Sequence, residues 1–233
     1  MQTAPLHTTA IIVAAGRGTR MGPNVDKIFL ELAGRPVIAH TWQRFADSPS
    51  ITDIVLVVRS GMEAAFHDLA AAFHLAKPYQ LVAGGAERQD SVWNGLSAAG
   101  SNTEVVAIQD GARPCTSERL IAATIEAAWR SGAAVAARTI TDTIKESADG
   151  HTVLRTLDRS RLWSVQTPQA FRRDVLLRAL DEVRRRGLRV TDDTAACELT
   201  GQPVQLVSST DPNPKVTRPE DLPYIQWLLR SLA

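Results

Sequence analysis

The densest chemistry in the chain lies in A-A-G-R-G-T-R-M-G at residues 14–22, followed by Lys27. Glycines let a backbone turn tightly and bring its N–H groups close to a ligand. Arg17, Arg20 and Lys27 add three positive charges to the same loop. This combination suits a polyphosphate such as a nucleoside triphosphate. Positioned Lys and Arg side chains also stabilise the charge that develops during phosphoryl or nucleotidyl transfer. The loop does not fit a dinucleotide fingerprint, because Met21 takes the third glycine position, Gly22 is displaced and Pro23 follows. The next strand-like run ends at Arg59, with no acidic residue for a ribose.

Two further clusters sit where strands give way to loops. G-G-A-E-R-Q-D-S-V at 84–92 offers two glycines that could face a base or ribose, and Ser91 on the first turn of a helix. The same residues also read as an ordinary strand-to-helix turn, with Ser91 serving its own backbone. Q-D-G-A-R-P at 109–114 places Asp110 at the end of an apolar strand. A single aspartate there suits Mg²⁺, which takes one or two carboxylates together with substrate phosphates. It also suits a plain loop cap or a pair with Arg113.

The elements that must hold these residues alternate. Strand-like runs fall at 9–13, 53–58, 79–82, 105–108, 133–137 and 204–207. Helical patterns fall at 37–45, 62–73, 88–98, 118–130, 174–186 and 222–232. Ser117 and Asp193 read as helix N-caps, and Gly100, Gly132, Gly187 and Gly201 as C-terminal glycines. The expectation is an α/β fold, a Rossmann-like, mostly parallel sheet flanked by helices, with ligands at the carboxyl ends of the strands. Residues 142–165 break the alternation. Asp149-Gly150 marks a tight turn, and 143–145 and 153–155 read as the strands of a hairpin. An isolated hairpin is marginal in water, so this one is expected to be a protruding arm that packs on a second copy of the chain. The five tryptophans read as packing residues.

Composition narrows the function. The chain has 233 residues, 44% of them hydrophobic, which is enough for a single domain over 1–233 with an appendage. A formal net charge of +1 does not suggest a nucleic-acid or membrane surface. No apolar run approaches the roughly 20 residues of a membrane span, and the first residues do not read as a signal peptide. Cys115 and Cys197 have no partner at metal-ligand spacing, so a cytoplasmic location is expected. None of the five histidines falls in the motifs at 14–27, 84–92 or 109–114, and no Ser-His or Cys-His nucleophile arrangement is apparent.

Read in order, A-A-G-R-G-T-R-M with Lys27, G-G-A-E-R-Q-D-S-V, D-G-A-R-P, T-D-T-I-K, L-D-R, Q-T-P-Q, T-D-D and K-V-T-R-P-E-D-L form a set. The set resembles the 2-C-methyl-D-erythritol 4-phosphate cytidylyltransferases of the non-mevalonate isoprenoid pathway, from residue 11 to about residue 222. The resemblance implies a nucleotidyltransferase that joins CTP to 2-C-methyl-D-erythritol 4-phosphate with Mg²⁺, releasing pyrophosphate. It implies that Arg20 and Lys27 stabilise the α-phosphate, with Arg159 and Lys215 also in the catalytic set. Ala14, Ala15, Gly16, Gly18, Gly85 and Ser91 would contact CTP, and Asp110 would be the metal-side carboxylate. Arg113, Thr143, Arg159, Thr191 and Lys215 would place the sugar phosphate. The arm at about 142–165 would cross to a partner in a homodimer, so Thr143 and Arg159 would serve the neighbour's site. Ile28 stands where many relatives have Gln, and Asp193 where Glu is frequent. A cytidylyltransferase for another polyol phosphate, such as ribitol 5-phosphate, resembles the chain over the same motifs. A nucleotide-binding module without catalysis would need a broken charge set, yet Arg20, Lys27, Asp110 and Lys215 are all present.

The chemistry is consistent with that set. A phosphate monoester has its second pKa near 6 and is largely ionised at neutral pH. Such a nucleophile needs no general base. It needs cations to offset its repulsion from a triphosphate.

Overall fold

Apolar runs with no polar face build the centre of the molecule, as expected of strands covered on both sides. The computed structural model describes residues 6–16, 18, 21–22 and 25–231. Strand β1 (Thr8–Val13) leads to the glycine loop. A short hairpin, β2 (Glu31–Leu32) and β3 (Arg35–Pro36), feeds α1 (Val37–Asp47). Then β4 (Asp53–Val58), α2 (Glu63–Ala72), β5 (Tyr79–Ala83), α3 (Arg88–Ala98), β6 (Val105–Asp110) and α4 (Glu118–Ser131) alternate. After β7 (Ala133–Thr139) come β8 (Lys145–Glu146), β9 (Arg155–Thr156) and a 3-10 turn at Arg159–Arg161. The series continues with β10 (Trp163–Arg172), α5 (Arg173–Arg185), α6 (Asp193–Leu199), β11 (Gln205–Ser208) and α7 (Asp221–Ser231).

Seven strands form one sheet in the order β11-β7-β10-β6-β1-β4-β5. All run parallel except β10, which lies antiparallel between β6 and β7. The strand period of two divides the core. Ala10 and Ile12 face a cluster with Trp42, Phe45, Phe66 and Ile121 on one side. Ile11 faces Val92, Leu96, Phe171, Leu176 and Leu180 on the other. A smaller cluster joins α7, through Ile225, Leu228 and Leu229, to Val37, Cys115 and Val216. Helix α3 lies close to the sheet at Gly95, where a Cβ would come within 2.5 Å of Ile11 Cγ2.

The structure corrects several expectations. Strand β10 is not among the strands expected from the sequence, and it carries Pro168, a residue that central strands disfavour. Here the proline falls where the pairing with β7 shifts register between Val165 and Gln169, so the missing N–H costs no ladder bond. The β2–β3 hairpin and α6 were also hidden by their shortness. Asp193 is not the cap of α6. That role belongs to Asp192, whose side chain accepts from Ala195 N, while Asp193 is fully buried. Ser117 caps α4 as expected. Of the tryptophans, Trp42 is buried, but Trp129 and Trp227 are exposed.

The strands of the hairpin are shorter than expected, each beginning two residues later and ending one later. Lys145 pairs with Thr156 and Glu146 with Arg155. The Asp149 carboxylate accepts from the N–H groups of His151 and Thr152 and so shapes the connection. No residue from 140 to 164 is buried. No helix among the described residues is long and apolar enough to cross a membrane.

Candidate active site

The parallel strands β1, β4, β5 and β6 direct their carboxyl ends to one edge of the sheet. A cavity of about 610 Å³ opens there, lined by Ala14, Ala15 and Gly16 after β1, Gly84 and Gly85 after β5, and Asp110 at the end of β6. Lys27, Arg59, Arg88 and Lys215 also line it, against two carboxylates among the described residues, Glu87 and Asp110. The excess of positive charge in a concave, partly apolar space selects for anions.

Each wall is fixed by a local device. The Ser91 hydroxyl accepts from Gly85 N at 3.1 Å and donates to Glu87 O at 3.2 Å, so it braces the second glycine loop from within. Glu87 and Asp90 form a reciprocal capping box at the start of α3. Lys27 is buried and donates to Val216 O at 3.0 Å. Gly18 has φ +65°, and a Cβ on it would meet Lys27 Cγ at 2.8 Å. A glycine there lets the lysine stem pass.

Asp110 is the electrostatic centre. Lys215 Nζ donates to its Oδ2 at 2.6 Å, while Arg113 Nε and Arg88 Nε lie 3.6 and 3.7 Å from its oxygens. Burial alone would raise its pKa, but Lys215, Arg88 and Arg113 outweigh burial and hold it down to about 2. Arg88 also donates to Asp193 Oδ2 at 2.8 Å. Burial pushes the Asp193 carboxyl above the ordinary range, with Arg88 opposing. Its Oδ1 is a buried oxygen without a hydrogen-bond partner among the described residues.

Motifs far apart in sequence are joined behind this cavity. Asp110 N donates to Thr167 Oγ1, and Asn213 Nδ2 donates to Thr167 O at 2.7 Å. Arg113 donates to Asn213 O, and Gln169 joins β10 to α6 through Asp192 and the N–H of Asp193. Q-T-P-Q, D-G-A-R-P, T-D-D and the segment before Lys215 are therefore one hydrogen-bonded unit.

Of the residues expected from sequence, Ala14, Ala15, Gly16, Lys27, Gly85, Ser91, Asp110 and Lys215 meet at the cavity. Arg113 lies behind Asp110 and is buried rather than lining the space. Thr143 and Arg159 lie on the arm, where Arg159 donates to Thr141 O; neither lines the cavity of its own chain. Thr191 is exposed next to the Asp192 cap and does not line it either. Arg20 lies outside the described residues. The sequence reading missed Arg88, which links two carboxylates, and Arg59, which pairs with Asp26 at the cavity mouth. A cation one residue beyond each of β4 and the second glycine loop's capping glutamate was the available signal.

No group of three or more His, Cys, Asp or Glu residues gathers among the described residues. The donor set instead offers one ionised carboxylate, Asp110, beside a phosphate-sized cationic space. That fits a hard divalent cation shared with substrate phosphates. Cys115 and Cys197 are buried, and burial pushes their thiols up to about 11 and 12, so neither is a nucleophile.

Known proteins match this chain over nearly its whole length. The family profile of 2-C-methyl-D-erythritol 4-phosphate cytidylyltransferase matches residues 8–231. The chain is 41% identical over 223 residues to the protein of that name from Pelotomaculum thermopropionicum, covering 95% of this chain and 94% of that one. It is 43% identical over 226 residues to the one from Geobacillus kaustophilus, with 97% and 98% covered. The crystal structure of 4-diphosphocytidyl-2C-methyl-D-erythritol synthase from Anaerococcus prevotii superposes with a TM-score of 0.85, at 30% identity over 97% of each chain. With a family match across nearly every element that lines the cavity, the chain belongs to the 2-C-methyl-D-erythritol 4-phosphate cytidylyltransferases.

Proposed function

We propose that the cavity transfers the cytidylyl group of CTP to 2-C-methyl-D-erythritol 4-phosphate. The observation that carries this reading is the convergence of Arg88 and Lys215 on Asp110 at the glycine-loop end of the sheet, with Lys27 lining the same cavity, in a chain of this family. An oxygen of the sugar phosphate attacks the α-phosphorus of CTP. The new P–O bond forms as the bond to the bridging oxygen breaks, and pyrophosphate leaves with the electron pair. The nucleophile is already ionised, so no residue has to remove a proton.

Each residue then has a physical task. The backbone at Ala14, Ala15 and Gly16, the bared backbone of Gly85 and the braced Ser91 hold the nucleotide. Lys27, with Arg20, faces the charge that gathers on the α-phosphoryl oxygens. Lys215, parked on Asp110, is within one side-chain movement of an incoming phosphate. Arg113 is anchored to Asn213 and supports the same end of the site. Asp110 would hold Mg²⁺, which supplies charge neutralisation on the triphosphate. Thr143 and Arg159 would reach the sugar phosphate in the site of a second copy, as the exposure of the arm supports, and Thr191 would meet it from its own chain.

Pyrophosphate release from CTP, measured with 2-C-methyl-D-erythritol 4-phosphate and separately with ribitol 5-phosphate, tests the reading. Release is expected with the first. Release only with the second would transfer the activity to another polyol phosphate. In the same assay Lys27→Ala should lower turnover about 10²- to 10³-fold while leaving CTP affinity nearly unchanged. Near-normal turnover would remove Lys27 from the mechanism.

A further inference from the structure

A second cavity, of about 780 Å³, lies between the β2–β3 hairpin, α1 and α7, and shares no lining residue with the first. Three elements each contribute an arginine to it: Arg35 from the hairpin, Arg44 from α1 and Arg230 from α7. Glu31 and Asp47 line the same space. Yet no carboxylate of a described residue lies within 4.0 Å of any of the three guanidiniums. Asp47 is engaged instead by Gln43 Nε2 at 2.6 Å. Elsewhere on this surface arginines pair readily, as Arg119, Arg130, Arg178 and Arg185 do.

Glu31 and Asp47 offset part of this charge, but the lining keeps an excess of positive charge, and neither carboxylate pairs with a guanidinium. Like charges on three walls of one concavity repel, and low-dielectric walls focus their field. The field is felt locally: burial first, then Arg35 and Arg44, hold the His40 imidazole below its ordinary pKa, against the Leu32 carbonyl bonded to its Nε2 at 2.7 Å. Arg35 is oriented by stacking over Phe73, 5.2 Å from the ring centroid. A planar guanidinium held in this way is set to grip a tetrahedral oxyanion through paired N–H donors.

We infer that this cavity is a binding site for a small phosphate-bearing anion, gripped by Arg35, Arg44 and Arg230 and separate from the catalytic cavity. The inference does not rest on the proposed reaction. It rests on three arginines in one concave space with no carboxylate partner among the described residues.

The test is a titration of the whole chain with inorganic pyrophosphate, and separately with inorganic phosphate, followed by amide chemical shifts of Gly34 and Arg35. Saturable shifts with either anion are expected, and the tighter of the two reports whether the cavity favours a mono- or diphosphate. The shifts should persist in Lys27→Ala/Lys215→Ala, where the catalytic cavity is weakened. They should weaken about tenfold or more in Arg44→Gln/Arg230→Gln. Arg35→Gln, on an exposed hairpin, should give a comparable loss by an independent change. Amide spectra matching the parent away from the cavity would report that these variants fold. Equal shifts with KCl at matched ionic strength, failure to saturate, or unchanged affinity in the arginine variants would each overturn the proposal.

Discussion

A single carboxylate can set the charge state of a whole site. Asp110 is held at a pKa of about 2 because three cations outweigh its burial. Its folded pKa lies below the ordinary value of 3.8, so the stabilisation is fully present above that value. It drains as pH falls from about 4 towards 2. The amount at neutral pH is roughly 2 kcal/mol. Urea unfolding of the parent and of Asp110→Asn should therefore show a stability gap that is steady from pH 7 to 5 and is smaller by about 1 kcal/mol at pH 3. A gap that stays flat down to pH 3 would show that Lys215, Arg88 and Arg113 do not hold Asp110 ionised. Ile28 is buried in the same core cluster as Trp42 and Phe66. An apolar side chain suits that place without further adjustment.

Elements matter here through how closely they approach. Helix α3 brings the second glycine loop to the cavity, and its distance from the sheet is set at Gly95. A methyl there would fall 2.5 Å from Ile11 Cγ2 and 2.9 Å from Val57 Cγ2. Both neighbours are β-branched side chains in central strands, with little freedom to move. Overpacking costs about 1–3 kcal/mol, offset by up to about 1 kcal/mol of helix propensity. Gly95→Ala should cost a net of about 1–2 kcal/mol of stability, read as a lower urea midpoint with an unchanged slope. The same shift should displace Ser91 and raise the Michaelis constant for CTP. A variant as stable as the parent would mean that α3 can slide. Strand β10 acts at the same scale: only its reversed course lays Thr167 beside Asp110 and Gln169 beside Asp192.

At the scale of the whole molecule, one part stands exposed. Residues 140–164 include no buried side chain, and Val153 and Leu154 are 58% and 65% exposed. A second copy would cover them, and the cavity, which lacks Thr143 and Arg159 from its own chain, would be completed in the same step. Light scattering should give twice the chain mass at micromolar concentration. A sharper measurement uses two weak variants, Lys27→Ala and Arg159→Ala, co-expressed in equal amounts. If arms serve the neighbouring site, half of the dimers are mixed and each mixed dimer carries one intact site. Activity should return to about a quarter of the parent's. No recovery in a preparation shown to contain mixed dimers would mean that each arm serves its own chain.

The sequence by itself determined what short-range physics can encode. Apolar runs became β1, β4 and β6, glycines marked the loops at their ends, and Ser117 capped its helix, because each rests on neighbours within a few residues. It also supplied the residue types of the site, since a cationic glycine loop and an aspartate at a strand end are chemistry before they are geometry. Tertiary structure alone decided that β10 runs backwards between two parallel strands, that Asp192 and not Asp193 caps α6, and that Arg88 bridges two carboxylates 105 and 22 residues away. It also put Arg35, Arg44 and Arg230 around one space. The physical reason is the same for all of these. Burial and Coulomb energy depend on distance in space, and a chain's local pattern carries no record of which distant segments folding will bring together.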